Sequence, residues 1–439
     1  MLIYLVTDNN PQHQEQVSSL YSPSSLNVQY PTVQILLVEI GWTNRPGGNK
    51  VWWFFCPIWE NGMFEYILAT GVSLNWPLKF WPVWLVSLVS ALVATWLCEK
   101  IALRLNIIDK PDKLVKTHQK PIPYLGGVGI FIGLAAGVLT ALYFLPQDSP
   151  SVARKWLFGT LGAGAVAFVV GCIDDIIDIR PRQKIIGQVA AAIVLAAAGV
   201  TPMLYSLSWP AKLIVDTIAV IIFVLGATNS LNLLDGLDGL CAGVTMIMAG
   251  ALLLLATLAG VIQDGLTAGD SIRVVVSLAL LGSVCGFLPF NYHPARIFMG
   301  DAGSLLLGLI MAAMMILFSE KTFQFWMASV AIFGLPILDT TVAFARRIIN
   351  KRPLFVPDRG HIYDQMMDRG ITLRKTVNLC YGLTAVYALV GLAVSQMPLA
   401  WAIVTCAGLA AISLLVVWKK GYLEMTGLRG ATRKDRQPD

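Results

Sequence analysis

The chain has 439 residues, of which 56% are apolar and only 13% are charged. Soluble domains carry about 25% charged residues, so this composition excludes a soluble globular protein and indicates a membrane protein with many spans. The net charge of +6 comes from loops beside apolar segments, and we expect no nucleic-acid partner.

Residues 1–62 differ in composition from the rest of the chain. They are rich in Asn, Gln, Ser and Pro and then in aromatic residues, and no basic stretch leads an apolar core as in a signal peptide. Met63 stands about eighteen residues before the first apolar segment. We therefore expect 1–62 to be either a mis-annotated start or a peripheral extension, followed by an integral membrane domain, 63–418, and a basic cytoplasmic tail, 419–439.

Eleven segments approach the ~20 apolar residues that a bilayer core requires. They are continuously apolar and not alternating, which favours helices over a β-barrel. The sequence therefore predicts an all-α, polytopic membrane helix bundle of about eleven transmembrane helices. The predicted spans are 81–103, 124–145, 156–173, 185–204, 212–231, 239–261, 272–290, 302–319, 325–349, 376–396 and 400–418.

Lys and Arg are concentrated in the loops after the first, third and ninth predicted spans and in the C-terminal tail. Because positive loops stay in the cytoplasm, this bias places the N-terminus outside and the C-terminus inside the cell. The seven Cys residues are scattered without C-x-x-C spacing, so neither a disulfide framework nor a zinc site is indicated.

Two charged clusters border the second and third spans. Lys116 and His118 lie in a basic loop that could hold a phosphate, although such loops usually reflect only the orientation bias. The third span ends in D-D-I-I-D, where Asp174 and Asp175 repel each other unless a cation intervenes. That cation is either a metal ion or one of the basic side chains that follow, Arg180, Arg182 and Lys184, which would make the cluster a salt-bridged helix end.

The fifth span ends in N-S-L-N-L-L-D-G-L-D-G-L at 229–240. Asn229, Asn232, Asp235 and Asp238 recur at every third position beside an apolar run. Carboxylates near a bilayer are expensive, so they are either solvated at the headgroups or functional. Four such groups in register favour the wall of a site at the membrane surface.

Four further polar residues follow in the second half of the chain. Asp301 precedes an apolar helix and is either its N-cap or a ligand of Mg²⁺, which proteins bind through one or two carboxylates and phosphate oxygens. Asp339 lies within an apolar run. Arg359 and His361, in the longest cytoplasmic loop, are donors suited to phosphate, although such a loop is more often merely solvated.

Every one of these clusters falls on the predicted cytoplasmic side, and none on the outer side. A transporter would need midplane polar groups, commonly on paired broken helices or repeats, and the sequence suggests none. Carboxylates for Mg²⁺, basic groups for phosphate and an adjacent bilayer indicate transfer of a phosphorylated group from a soluble nucleotide to a lipid.

Five motifs, in order across residues 81–396, resemble those of the polyprenyl-phosphate N-acetylhexosamine-1-phosphate transferases. They are K-x-H-x-x-P-x-P-x-x-G-G at 116–127, D-D-I-I-D at 174–178, N-x-x-N-x-x-D-G-L-D-G-L at 229–240, F-M-G-D-A-G-S at 298–304 and D-R-G-H-I at 358–362. The resemblance implies attack of a polyprenyl phosphate, such as undecaprenyl phosphate, on the β-phosphorus of a UDP-sugar, with release of UMP. N-acetylglucosamine is the expected sugar, and the setting is the first membrane step of a cell-envelope polysaccharide.

The resemblance also implies residue roles. Asp174, Asp175 and Asp238 are expected to be catalytic, and Asp301 with Asp175 is expected to bind Mg²⁺ or Mn²⁺. The expected substrate-binding residues are Lys116, His118, Lys184, Asn229, Asn232, Asp235, Asn291, Arg359 and His361.

The family further implies a bacterial inner (plasma) membrane location and a cytoplasmic active site, and it allows a homodimer. Tyr363 and Asp364 stand where relatives carry further His residues, and we expect Asp364 to point away from the diphosphate. Three alternatives stay open: a phospho-N-acetylmuramoyl-pentapeptide transferase, a multi-pass transporter or flippase, and a catalytically degenerate scaffold.

Overall fold

The computed structural model describes residues 76–109, 121–145, 151–203, 208–262, 268–352 and 360–424. The chain divides into two units, Met1–Gly62 and Met63–Asp439, and all described residues belong to the second. Predictions for residues 1–62 and for most of the 419–439 tail therefore lie outside the described residues.

The described residues are almost entirely helical. A 3₁₀ turn, Trp76–Phe80, leads into the first helix, and a two-residue antiparallel ladder, Ile108–Asp109 (β1) with Ile122–Pro123 (β2), is a small exception to the all-α prediction. The helices are α1 Trp81–Leu105, α2 Gly126–Phe144, α3 Ser151–Ile177, α4 Pro181–Ala197, α5 Ala211–Leu234, α6 Leu240–Ile262, α7 Ala268–Asn291, α8 Gly300–Phe318, α9 Phe323–Ile332, α10 Gly334–Ile349, α11 Ile362–Asp368, α12 Leu373–Val394 and α13 Leu399–Lys419.

Within the described ranges, nine helices are long and apolar enough to cross a membrane: α1 to α3, α5 to α8, α12 and α13. This confirms a polytopic helix bundle, while the count of eleven and the orientation stay predictions. The segment predicted as a span at 325–349 is bent, because α9 and α10 meet at 65°, and the pair is either one broken span or a re-entrant loop. Pro336, in the first turn of α10, has no N–H with which to continue the α9 hydrogen-bond ladder.

Helix α8 is the centre of the bundle, because 94% of its apolar stretch is buried, whereas only 11% of the apolar stretch of α13 is buried. Two glycines allow close backbone approach to α8. A Cβ on Gly171 of α3 would lie 2.4 Å from Ala302, and one on Gly308 would lie 2.4 Å from Thr228 of α5. These contacts bring the C-terminal ends of α3 and α5 against the N-terminal end of α8.

A charged network lies at the N-terminal end of α7 and just after the C-terminal end of α8, far from the end of α8 that carries Asp301. The prediction that all polar clusters lie on one side is therefore wrong. The buried Arg273 guanidinium contacts Asp270 at 2.7 Å and Glu320 at 2.8 Å, and Lys321 contacts Asp270 at 2.8 Å. Arg273 also donates to the carbonyl of Leu317 at the C-terminal end of α8. Two cations balance two anions, which offsets the desolvation cost of burying Arg273, Asp270 and Lys321, while Glu320 is partly exposed. This balance indicates a structural role.

Candidate active site

The end of α3, the start of α4, the end of α5 and the start of α8 bring four polar side chains together. The Lys184 ammonium lies 2.9 Å from a carboxylate oxygen of Asp174 and contacts the carboxylate of Asp301. It also donates to the amide oxygen of Asn232 at 3.1 Å, and Asn232 in turn donates to Asp301 at 2.7 Å. Two carboxylates and one amide oxygen therefore surround one cation.

The turn between α3 and α4 directs Lys184 back toward this cluster. Asp178 adopts a left-handed conformation with φ of 49°, and the backbone N–H of Ile179 donates to Asp174 at 3.0 Å. Burial lowers the pKa of Lys184, but the carboxylates of Asp301 and Asp174 outweigh this effect and raise it above the ordinary value. Lys184 therefore stays charged at neutral pH.

Asp175 points away from this cluster toward the backbone of α8. One carboxylate oxygen accepts from the N–H of Asp301 at 2.8 Å, and the other accepts from Ala302 at 3.1 Å. Asp301 itself is not the N-cap of α8, which is Met299, and its side chain makes no capping hydrogen bond. The N-cap interpretation of Asp301 is therefore wrong, and Asp175 satisfies the orphan amides that a cap would serve.

Asn229 pairs with a residue that the sequence did not single out. Its amide donates to Gln188 of α4 at 3.0 Å and receives a longer contact of 3.5 Å in return. Gln188 is fully buried and lies one turn after Lys184. The pairs Gln188–Asn229 and Lys184–Asn232 therefore form two sets of side-chain hydrogen bonds between α4 and α5. These bonds fix Lys184 relative to the end of α5.

Asp238 and Asn291 join the segment after α5 to the loop after α7. Asp238 accepts from His293 at 2.8 Å and from the backbone of Ala295 at 3.1 Å, while Asn291 accepts from the backbone of Gly239 at 3.1 Å. Asp235 lies in the same segment, where burial and then the charges of nearby carboxylates hold its pKa well above the usual range. The sequence analysis did not identify His293, which lies two residues after Asn291.

His361 belongs to a second cluster at the start of α11, where it is the N-cap residue. Its Nδ1 lies 2.8 Å from Asp339 of α10, and its ring stacks on Tyr363 with centroids 5.5 Å apart. The Tyr363 hydroxyl donates to the carbonyl of Leu233, next to the end of α5. The start of α11 is thereby attached to the segment that carries Asn232 and Asp235. Lys116, His118 and Arg359 lie outside the described residues.

The oxygens around Lys184 fit a divalent cation of the Mg²⁺ type. Mg²⁺ in phosphoryl-transfer sites is bound by one or two carboxylates together with substrate phosphates, and Asp174 and Asp301 supply two carboxylates that already converge on a positive charge. Among the described residues, no group of three or more acidic, His or Cys side chains is placed to hold a metal ion. The two carboxylates would therefore need substrate phosphate oxygens to complete the coordination.

The fold and this site define a polytopic membrane enzyme with a carboxylate-rich centre at helix ends. The profile of glycosyl transferase family 4 matches residues 157–319. A probable undecaprenyl-phosphate N-acetylglucosaminyl 1-phosphate transferase of Bacillus subtilis is 31% identical over 78% of this chain and 91% of its own. A decaprenyl-phosphate N-acetylglucosaminephosphotransferase of Mycobacterium leprae is 34% identical over 68% of this chain and 80% of its own.

A phospho-N-acetylmuramoyl-pentapeptide-transferase of Geobacillus kaustophilus is 35% identical, but over only 46% of this chain and 63% of its own. The chain belongs to the polyprenyl-phosphate N-acetylhexosamine-1-phosphate transferases of glycosyl transferase family 4.

Proposed function

We propose that the protein transfers N-acetylglucosamine-1-phosphate from UDP-N-acetylglucosamine to a polyprenyl phosphate such as undecaprenyl phosphate and releases UMP. The observation that carries this proposal is the convergence of Asp174, Asn232 and Asp301 on one positive charge at the ends of membrane helices. Relatives that match 68–78% of this chain are named for N-acetylglucosamine-phosphate transfer, which supports the choice of sugar.

In this reaction an oxygen of the lipid phosphate attacks the β-phosphorus of the donor. The bond from that phosphorus to the UMP oxygen breaks, and the electron pair leaves with UMP. A phosphate monoester has its second pKa near ~6, so the lipid phosphate needs little deprotonation at neutral pH. Asp174, tied to Lys184 and to the α3–α4 turn, therefore serves to position the acceptor phosphate and is not needed as an obligatory base.

Asp174 and Asp301 would hold Mg²⁺ or Mn²⁺ together with phosphate oxygens. The bound ion would neutralise the diphosphate and stabilise UMP as the leaving group. Lys184 supplies a second positive charge beside the same carboxylates, and Asn232 orients Asp301 through its 2.7 Å hydrogen bond. Asp235 and Asp238 would contact the nucleotide beside this centre, and His361 would contact a donor phosphate.

The proposed setting is the bacterial inner membrane, with the N-terminus outside and the active site and C-terminus on the cytoplasmic side. Soluble UDP-sugars are cytoplasmic, and the positive-inside bias of the loops gives this orientation. The product would start a cell-envelope polysaccharide, and the enzyme could function as a homodimer.

Purified protein in detergent with undecaprenyl phosphate, Mg²⁺ and a panel of UDP-sugars tests the proposal through released UMP. We expect release with UDP-N-acetylglucosamine and none when the lipid or the divalent ion is omitted. Release only with UDP-N-acetylmuramoyl-pentapeptide would show that this compound, and not UDP-N-acetylglucosamine, is the donor. Flux of intact substrate across liposomes without UMP would instead indicate a transporter.

A further inference from the structure

Asp339 is a buried carboxylate whose two oxygens both contact the segment that begins with His361. One oxygen lies 2.8 Å from His361 Nδ1, and the other accepts from the backbone N–H of Ile362 at 2.7 Å. Asp339 is 1% exposed and His361 is 4% exposed, so both groups are largely shielded from competing water. We infer that Asp339 is a positioning residue that fixes the orientation and tautomer of His361.

The tautomer follows from the donors and acceptors available. A carboxylate can only accept hydrogen bonds, so His361 Nδ1 must carry a proton and donate it to Asp339. The ring nitrogen left for proton exchange with any other partner is then Nε2. A carboxylate partner of this kind fixes ring orientation and strengthens the basicity of the opposite nitrogen.

The surrounding contacts hold this pair in one geometry. Tyr363 stacks on the His361 ring with an interplanar angle of 10°, and its hydroxyl is anchored to Leu233. Gly360, on the other side of His361, accepts through its carbonyl from Arg346 and from Gln365. Asp339 lies on α10, beyond the 65° bend between α9 and α10, and its carboxylate contacts the start of α11.

In the reaction, the buried Asp339 would position His361 for contact with the substrate, and this role rests on the proposed function. His361 can serve the donor diphosphate only if the correct nitrogen faces it. Asp339 therefore acts on the substrate through His361 and does not need to touch the substrate itself. Removal of its charge should affect turnover while the helix bundle remains folded.

The informative variant is Asp339→Asn. Its amide oxygen must still accept from Ile362, so its NH₂ group faces His361 Nδ1 and requires that nitrogen to accept. The imidazole proton then moves to Nε2, which reverses the tautomer. By analogy with other losses of a histidine-orienting partner, we expect kcat/KM to fall by about 10–100-fold. Asp339→Glu, which keeps the charge, should restore part of this loss.

A double-mutant cycle separates positioning from a general structural effect. If Asp339 acts through His361, Asp339→Asn should have little further effect on kcat/KM in a His361→Ala background. Equal losses in both backgrounds would overturn the inference. Asp216→Asn removes a buried carboxylate paired with Lys212 on α5 and should leave kcat/KM unchanged.

A direct readout does not depend on turnover. The chain has four His residues, so ¹⁵N-histidine labelling gives few imidazole signals, and His361→Ala identifies the signal of interest. We expect a protonated Nδ1 in the wild type and an unprotonated Nδ1 in Asp339→Asn, or a protonated one in Asp339→Glu if the Asn variant does not fold. An unprotonated Nδ1 in the wild type, or no change in Asp339→Asn, would overturn the inference. Absence of UMP release would count against the proposed function alone.

Discussion

The backbone N–H of Asp301 donates to the carboxylate of Asp175 at 2.8 Å, so the second aspartate of D-D-I-I-D holds the helix that carries the candidate metal ligand. The first aspartate, Asp174, faces the opposite way, toward Lys184. Adjacent carboxylates on one helix thus have different partners, one the backbone of α8 and the other the candidate substrate site.

Asp175→Ala should destabilise the protein and reduce activity together. The substitution leaves the N–H groups of Asp301 and Ala302 without their acceptor, and loss of a comparable helix cap costs about 0.5–2 kcal/mol. Thermal unfolding in detergent, compared with UMP release, measures both effects. Asp175→Asn keeps an acceptor oxygen and should therefore lower stability and activity less than Asp175→Ala. Unchanged stability in Asp175→Ala with complete loss of activity would contradict the capping role and favour metal ligation.

Lys184→Met should make the stability of the protein depend on divalent ions. Without the ammonium, Asp174 and Asp301 repel each other, so the melting temperature without metal should fall below that of the wild type. Saturating Mg²⁺ should then raise it more than in the wild type, because a ligand that binds the folded state stabilises it. Lys212→Met, which breaks a Lys–Asp pair on α5, is the control. An equal Mg²⁺ shift in wild type and Lys184→Met would contradict this account.

Asp301→Asn should abolish UMP release without preventing folding or membrane insertion. The Asp301 side chain does not cap α8, so its charge is not needed there, whereas its neutral replacement loses Coulombic attraction to a divalent ion. Titration of Mn²⁺ by electron paramagnetic resonance should show weakened binding, with Asp216→Asn unaffected. Near-normal rates in Asp301→Asn would remove this residue from the proposed metal site.

Substitutions of His361, Tyr363 and Asp364, at the start of α11, should reduce activity to different degrees. His361→Ala is expected to cost about 2–4 kcal/mol of transition-state stabilisation, the range for loss of one preorganised donor. Tyr363→Phe loses the hydrogen bond to Leu233 but keeps the stacked ring, so its effect should be intermediate. Asp364→Ala should be mildest. Full kinetic constants decide the order, and an Asp364→Ala loss as large as that of His361→Ala would give Asp364 a catalytic or metal role.

The sequence predicted the helices well because long apolar runs leave few alternatives in a bilayer. Hydropathy did not predict the bend between α9 and α10, since both halves are apolar; Pro336 was the local signal. The role of Asp175 was not predictable either, because it depends on how closely Gly171 lets α3 approach α8. The network of Arg273, Asp270, Glu320 and Lys321 was not predicted, because Arg273 and Lys321 lie far apart in sequence.

In the candidate site, too, some residues were predictable from the sequence and others were not. The carboxylates and amides of the motifs were recognisable from sequence, and the structure brings Asp174, Lys184, Asn232 and Asp301 together. Gln188 and His293 were not recognised, because a single polar residue beside an apolar segment has many structural explanations. Their partners became evident only from the packing of α4 on α5 and of the α7–α8 loop on Asp238.

The most direct measurement of the central claim follows the β-phosphorus of the donor. Protein in detergent is incubated with undecaprenyl phosphate, Mg²⁺ and UDP-N-acetylglucosamine labelled with ³²P at the β-position, and the lipid and aqueous phases are then separated. Phospho-sugar transfer predicts that the label enters the lipid phase while unlabelled UMP appears in equal amount in the aqueous phase. Label that stays in the aqueous phase as UDP, with sugar alone in the lipid, would contradict the proposed reaction.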